Sequence, residues 1–184
     1  MHNKLPTIFS YIDSFEKEYI RKLDKKIAII YRNYSTKLNK KLILDIKKIC
    51  KKDGRKFFLS NNLKLAASLD LDRVYLPSFN NQENIKKENV RKKFTIIGSA
   101  HSIKEIKVKE RQGAELIFIS PVFKVSKNKN FLDIIKFNLL SLKTNRKVIA
   151  LGGISSSNLS KLKMIKAYGF AGISYFKNND KIKI

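Results

Sequence analysis

Short runs of β-branched and aromatic residues recur eight times along this chain, and stretches with helical apolar spacing lie between them. The runs are Thr7–Ile12, Ile27–Tyr31, Lys56–Leu59, Arg73–Leu76, Thr95–Gly98, Leu116–Ser120, Val148–Leu151 and Ala171–Tyr175. The helical stretches fall at 14–25, 37–52, 62–69, 82–92, 102–112, 131–142 and 157–168. Strands alternating with helices join through right-handed crossovers into a parallel sheet covered by helices. Eight such units predict an α/β fold, a closed (β/α)8 barrel, with an open doubly wound sheet as the alternative. The 184 residues suit one domain over 1–184, with a short polar tail from about 177. The barrel would be compact, since this fold usually takes roughly 200 residues or more.

Local signals support the register. Ser102 precedes Ile103, with Glu105 three residues on, the pattern of a capping box at a strand-to-helix turn. Ser155, Ser156 and Ser157 stand before the last helical stretch in the same way. Gly113 and Gly169 each end a helical stretch and precede a strand, where a left-handed C-cap would place a glycine.

Forty Lys and Arg against fifteen Asp and Glu leave a net charge of +25, a balance that points toward nucleic acid or anionic ligands. Only seven of the forty are arginine, and the lysines are spread over nearly every helical stretch without alternating with aromatics. That dispersal is the mark of a solvated surface, as an A+T-rich coding sequence would leave it, so nucleic acid is not the expected partner. The field still steers anionic small molecules inward. No apolar run approaches the roughly 18 residues that cross a bilayer, and the start lacks a signal-peptide core, so a cytoplasmic protein with no membrane partner is expected. The single cysteine, Cys50, ends an apolar helical run and reads as a small buried hydrophobe.

In a barrel of this kind the working residues lie just beyond the C-terminal ends of the strands. Those ends hold Asp13, Arg32, Ser60 to Asn62, Ser78, Ser99 to Ser102, Ser120 to Phe123, Gly152 to Ser155 and Ser174, a set rich in donors and nearly free of carboxylates. Gly152 and Gly153 would let backbone N–H groups approach a phosphate after the seventh strand, with Ser174 completing the site from the last strand. A tight turn with no ligand is the plainer alternative. His101 is the one candidate general acid or base, because His2 stands at the terminus; it could instead simply cap its turn. No second His or Cys is placed for a nucleophilic triad or a transition metal.

Three segments, taken in order, resemble the thiamine-phosphate synthase and TenI-type thiazole tautomerase family: Ile96 to Ser102, Gly113 to Leu116 leading into Ser120-Pro121-Val122-Phe123, and Val148 to Ile154. The likeness runs from Ile8 to Phe176 and implies the same barrel. It also implies thiamine biosynthesis, the joining of hydroxymethylpyrimidine diphosphate to thiazole phosphate with release of pyrophosphate. Position by position the family pattern is then altered. Its Gln-x-Arg-x-Lys set after the second strand reads Ile30, Arg32 and Tyr34, leaving the arginine. Its Asn-Asp-Arg triplet reads Ser60-Asn61-Asn62, and its aspartate beyond the fourth strand aligns near Asn80. The resemblance thus puts Mg2+, if the chain is a synthase, at Asn61 and Asn80, whose amides carry no charge. The family's phosphate loop reads Lys124 to Lys129, so Lys127 or Lys129 would join Arg32 and Ser60 on substrate, and Ser99 would stabilise developing charge. The Leu76-Pro77-Ser78 turn is closer to the tautomerase branch, which uses no metal and would use His101 for proton transfer. A non-catalytic relative that binds phosphorylated ligands is the remaining alternative, and the oligomeric state is left open.

Overall fold

The computed structural model describes residues 5–34, 38–71, 73–82, 85, 94–125 and 130–177. Eight parallel strands pair each with the next, and the last with the first, to close a barrel. The strands are β1 (Ile8–Ile12), β2 (Ala28–Tyr31), β3 (Phe57–Ser60), β4 (Arg73–Leu76), β5 (Thr95–Ala100), β6 (Leu116–Ile119), β7 (Lys147–Leu151) and β8 (Gly169–Gly172). Outside them run α1 (Lys17–Lys22), α2 (Lys40–Lys52), α3 (Leu63–Ser68), α4 (Ile103–Arg111) and α5 (Asp133–Ser141), then a 3-10 helix (Leu159–Met164) and the short α6 (Ser174–Lys177). The (β/α)8 expectation holds, and the open sheet is excluded by the pairing of β1 with β8. Apart from Gln82 and Ile85, neither of them helical, the expected helix at 82–92 lies outside the described residues, as does the tail beyond 177.

Alternation along each strand divides the apolar side chains into two cores. Phe9, Phe58, Tyr75 and Phe118 point to the axis with Tyr11 and Leu151, while β-branched residues such as Ile29, Val74, Ile117 and Val148 face the helices. The aromatics meet edge to face inside the barrel, Phe9 with Phe118 at 4.9 Å and Tyr75 with Phe118 at 5.6 Å between ring centroids. This filling makes the barrel a solid support for its mouth.

The helix starts follow the polar residues that precede them. Asn39 accepts from the Leu42 N–H, Asn62 from Leu65, and Ser102 from Glu105, each satisfying a first-turn donor. Glu105 reaches back to the His101 N–H at 2.7 Å, so the expected box forms one residue wider. Gly113 has φ of 79° and supplies the left-handed turn into β6.

Several expectations are corrected. The first helical stretch, expected over 14–25, is only α1, because the buried Arg55 guanidinium takes the carbonyls of Ile20, Leu23, Asp24 and Ile27 and ends the helix there. Within the stretch 157–168 only the six residues Leu159–Met164 are helical, as a 3-10 helix; none of the six is fully buried, and Leu162 packs half-buried on the core. Its N-cap position is Asn158 rather than one of the serines. The last strand starts at Gly169, two residues early, and Ser174 begins α6 instead of ending a strand. Tyr175 reads as a strand residue but turns inward with Phe176 as α6, and both pack on Phe170. Gly169 is a matter of close approach and has no left-handed φ: a Cβ there would run into the Thr7 backbone, beside the 2.9 Å bond from the Phe170 N–H to the Thr7 carbonyl.

Candidate functional site

Each inward column of side chains continues past its strand into the mouth. Ile30 is followed two residues on by Arg32, Phe58 by Ser60, Ile97 by Ser99 and then His101, Phe118 by Ser120, and Leu151 by Gly153. The floor is a pair of tyrosines: Tyr11 and Tyr75 meet edge to face at 5.5 Å, and Ser99, itself buried, lies against Tyr75. Burial raises both phenols above their ordinary range, so the floor is uncharged. The Arg32 guanidinium stands 4.9 Å over the Tyr11 ring, a stacked position that holds the cation above the floor.

Gly152 and Gly153 make the bend after β7, with φ of 92° and 71°. A Cβ on Gly152 would fall 2.8 Å from Pro121, and one on Gly153 would run into the carbonyls of Phe123 and Lys124. The turn is therefore pressed against the loop after β6, which also bonds to it through Phe123 N–H and the Gly152 carbonyl at 3.1 Å. Asn158 staples the far side: its amide donates to the Gly153 carbonyl at 2.7 Å and its oxygen accepts from the Ser155 N–H at 3.0 Å. Among the described residues the N–H groups of Gly153 and Ile154 make no hydrogen bond, which leaves two adjacent donors in a preformed bend. The 3-10 helix beyond offers no α-helical dipole, so these donors act by themselves.

His101 is exposed, and its Nδ1 lies 2.7 Å from the Ser120 carbonyl oxygen. A carbonyl only accepts, so Nδ1 carries the proton and, in the neutral ring, Nε2 is the acceptor. The ring is thereby oriented by backbone, with its proton-accepting nitrogen turned from the partner that holds it.

The ends of β3 and β4 are organised by amides. Asn61, in the left-handed region with φ of 57°, accepts from the Asn80 Nδ2 at 2.7 Å. The Asn80 Oδ1 accepts in turn from the Gln82 N–H and the Gln112 Nε2, both at 3.1 Å. Behind them the fully buried Lys109 donates from Nζ to the Asn80 backbone oxygen at 2.7 Å and to Gln112 Oε1 at 3.0 Å. Burial lowers the Lys109 ammonium to about 8. Mg2+ favours charged, uncommitted oxygens in octahedral array. Here both side-chain oxygens already take N–H donors and an ammonium is bound to the same residue, so Asn61 and Asn80 do not fit the ion. Among the described residues no group of three or more His, Cys, Asp or Glu could hold a metal.

Of the residues singled out from sequence, Arg32, Ser60, Ser99, His101 and Gly153 share the axial side of the mouth, and Gly152 lies beside them. Ser60 is buried, its hydroxyl 2.7 Å from the Tyr34 hydroxyl, and Tyr34 packs edge to face on Phe79 at 5.3 Å. Ser174 is exposed on α6, off the strand where it was expected. Lys127 and Lys129 lie outside the described residues. Sequence reasoning missed Tyr11, Tyr75 and Phe79 as mouth residues, and missed Lys109, Gln112 and Asn158 altogether. The aromatics had a signal, the two-residue period on β1 and β4. Lys109 and Gln112 had none, because tertiary folding brings Asn80 to them, whereas Asn158 acts locally on Gly153 and Ser155. Cys50 is buried, and burial pushes its thiol up to about 12, as suits an inert core residue.

The fold and its polar mouth define a single (β/α)8 barrel whose functional groups stand at the C-terminal ends of the strands. No helix among the described residues is long and apolar enough to cross a membrane. The family described as thiamine monophosphate synthase matches residues 17–176, and the chain belongs to that family. A thiamine-phosphate synthase of Pelagibacter ubique is 32% identical, the match covering 98% of this chain and 88% of that one. One from Prochlorococcus marinus is 33% identical over 66% of this chain, which spans only 36% of that protein's length. The solved structure of thiamine phosphate pyrophosphorylase from Pyrococcus furiosus superposes with a TM-score of 0.73 at 20% identity, covering 92% of this chain and 86% of that one.

Proposed function

We propose that the chain joins hydroxymethylpyrimidine diphosphate to thiazole phosphate, releasing pyrophosphate. The observation that carries this reading is the Gly152–Gly153 bend, which sets two N–H donors, unpaired among the described residues, at the barrel mouth in a chain whose family is that of the synthases. The thiazole phosphate would accept from these donors. The C–O bond to the diphosphate breaks with both electrons leaving on pyrophosphate, and the thiazole nitrogen supplies the pair for the new C–N bond. Arg32, with Lys127 or Lys129, would hold the departing diphosphate, and Ser60 and Ser99 would face the pyrimidine from the floor. No step is assigned to Mg2+, because the oxygens of Asn61 and Asn80 are committed to amide donors. The test is formation of thiamine phosphate and pyrophosphate by purified protein, followed by mass spectrometry with and without Mg2+. No product under either condition, with thiazole phosphate still raising the melting temperature, overturns the synthase reading.

One observation favours a second reading, the thiazole tautomerase reaction: His101 presents Nε2 as a proton acceptor and needs no metal to do so. Replacing His101 with Ala would then leave affinity for the thiazole phosphate within about twofold and lower proton exchange by about a hundredfold or more. Solvent deuterium incorporation into the thiazole carboxylate phosphate measures it, and unchanged exchange in the variant removes His101 from the chemistry.

A further inference from the structure

At the rim of the mouth the loops after β2 and β4 bring two exposed aromatics together. Tyr34 is 49% exposed and Phe79 59%, with ring centroids 5.3 Å apart and planes at 79°. Between them they leave on the order of 200 Å2 of aromatic surface open. Rings at this angle make a notch: a third flat ring can lie on the face of one and meet the edge of the other. Both walls are fixed. The Tyr34 hydroxyl is tied to buried Ser60 at 2.7 Å, and burial of that end pushes the phenol up to about 12, so the wall is uncharged. Phe79 stands in a turn closed by the 3.1 Å bond from the Asn80 N–H to the Pro77 carbonyl. Asn80 is held in turn by Asn61, Gln112 and Lys109. The network that leaves little for a metal thus fixes the backbone from which Phe79 projects, and the ring is presented without the ordering cost of a free loop.

Charge at this rim selects the ligand. Among the described residues 32–34, 61–62 and 77–82, Arg32 alone is charged. Its side chain makes no hydrogen bond or ion pair among the described residues, and it lies close enough to Tyr34 for its charge to act on the phenol. Two aromatic walls beside one such guanidinium fit a flat, uncharged ring that carries an anionic group, the ring in the notch and the anion on Arg32. We propose, resting on the synthase reading, that Tyr34 and Phe79 hold the pyrimidine ring of the diphosphate substrate by stacking and make this rim selective for a planar ring. Ser60, bonded to Tyr34, and Ser99 then meet the same ring from the floor.

Calorimetric titration of the full chain with hydroxymethylpyrimidine diphosphate, and with inorganic pyrophosphate as the probe that lacks a ring, is the test. Phe79→Ala should weaken the pyrimidine diphosphate about tenfold or more and pyrophosphate by less than about twofold. Phe79→Trp should restore the affinity, whereas Phe79→Leu, close in bulk but without a π face, should not. Tyr34→Phe keeps the ring and should bind as the native chain does. The melting temperature of Phe79→Ala should stay within about two degrees of native, since the side chain is exposed. Native affinity in Phe79→Ala or in Phe79→Leu overturns the notch and leaves the synthase reading standing, and so does an equal loss of pyrophosphate. A native chain that binds thiazole phosphate but not the pyrimidine diphosphate overturns both.

Discussion

The turn after β7 and the ends of β3 and β4 lie at the same end of the barrel, yet one is shaped by backbone and the other by side-chain amides. Gly152 and Gly153 are committed by positive φ and by contact with the β6 loop, so the bend keeps two N–H donors free. Asn61 and Asn80 are committed to each other, to Gln112 and, through the Asn80 backbone, to a buried ammonium. The first corner offers donors of the kind a phosphate accepts from; the second is already satisfied and leaves little for a metal to bind. Function at this mouth thus divides between a corner preorganised for a ligand and a corner preorganised for itself.

The largest effect expected from breaking the contrast is at the first corner. Gly153→Asp adds a Cβ where the Phe123 and Lys124 carbonyls stand and a negative charge where phosphate would sit. Affinity for thiazole phosphate by calorimetry should fall by more than about a hundredfold, a loss of ~3 kcal/mol, with a lower melting temperature. Retained affinity would detach the bend from ligand binding.

The second corner can be converted. Asn61→Asp together with Asn80→Asp places two carboxylates there, and millimolar Mg2+ should then raise the melting temperature by several degrees while leaving the native chain within about one degree. A native chain stabilised as strongly by Mg2+ would show that the amide network opens to admit the ion.

A smaller effect concerns Lys109. Its folded-state value of about 8 lies below the ordinary 10.5, so between those pH values the unfolded chain binds more protons and stability rises with pH. Below about pH 8 both states are protonated and the contribution is flat. Relative to Lys109→Met, the native chain should gain a few degrees of melting temperature from pH 8 to 10. Parallel curves would mean that the ammonium keeps its ordinary affinity for the proton.

The smallest is Tyr34→Phe, which removes the phenol that meets Ser60 while keeping the ring on Phe79. A loss of about 1 kcal/mol by denaturant titration is expected, with phosphate affinity unchanged because the Gly152–Gly153 corner is untouched. A large loss of affinity would join the two corners into one site.

Much of the barrel was legible in sequence because strand and helix periods are local. The eight runs, the capping residue at Ser102 and the left-handed Gly113 all act within a few residues of themselves. The strand ends named Arg32, Ser60, Ser99, His101 and the glycine pair for the same reason, since a barrel puts such positions at one rim. Where local pattern misled, packing was the competing cause: Tyr175 looks like strand and becomes α6 because it turns in with Phe176 against Phe170. The 157–168 stretch has helical spacing, yet only Leu162, Ile165 and Ala167 reach the core from it, and they do so from a short 3-10 helix and the turn after it.

The sequence by itself therefore determined the order of the strands and placed Arg32, Ser60, Ser99, His101 and the glycine pair in the ring of strand ends, whereas closure into a barrel rests on the pairing of β1 with β8. What only the tertiary structure decided is how that ring is partnered. Lys109 and Gln112 reach Asn80 across 29 and 32 residues of chain, and Ser120 orients His101 across 19. Such hydrogen bonds depend on the direction of side chains from different strands and helices, and no periodicity along one segment encodes them.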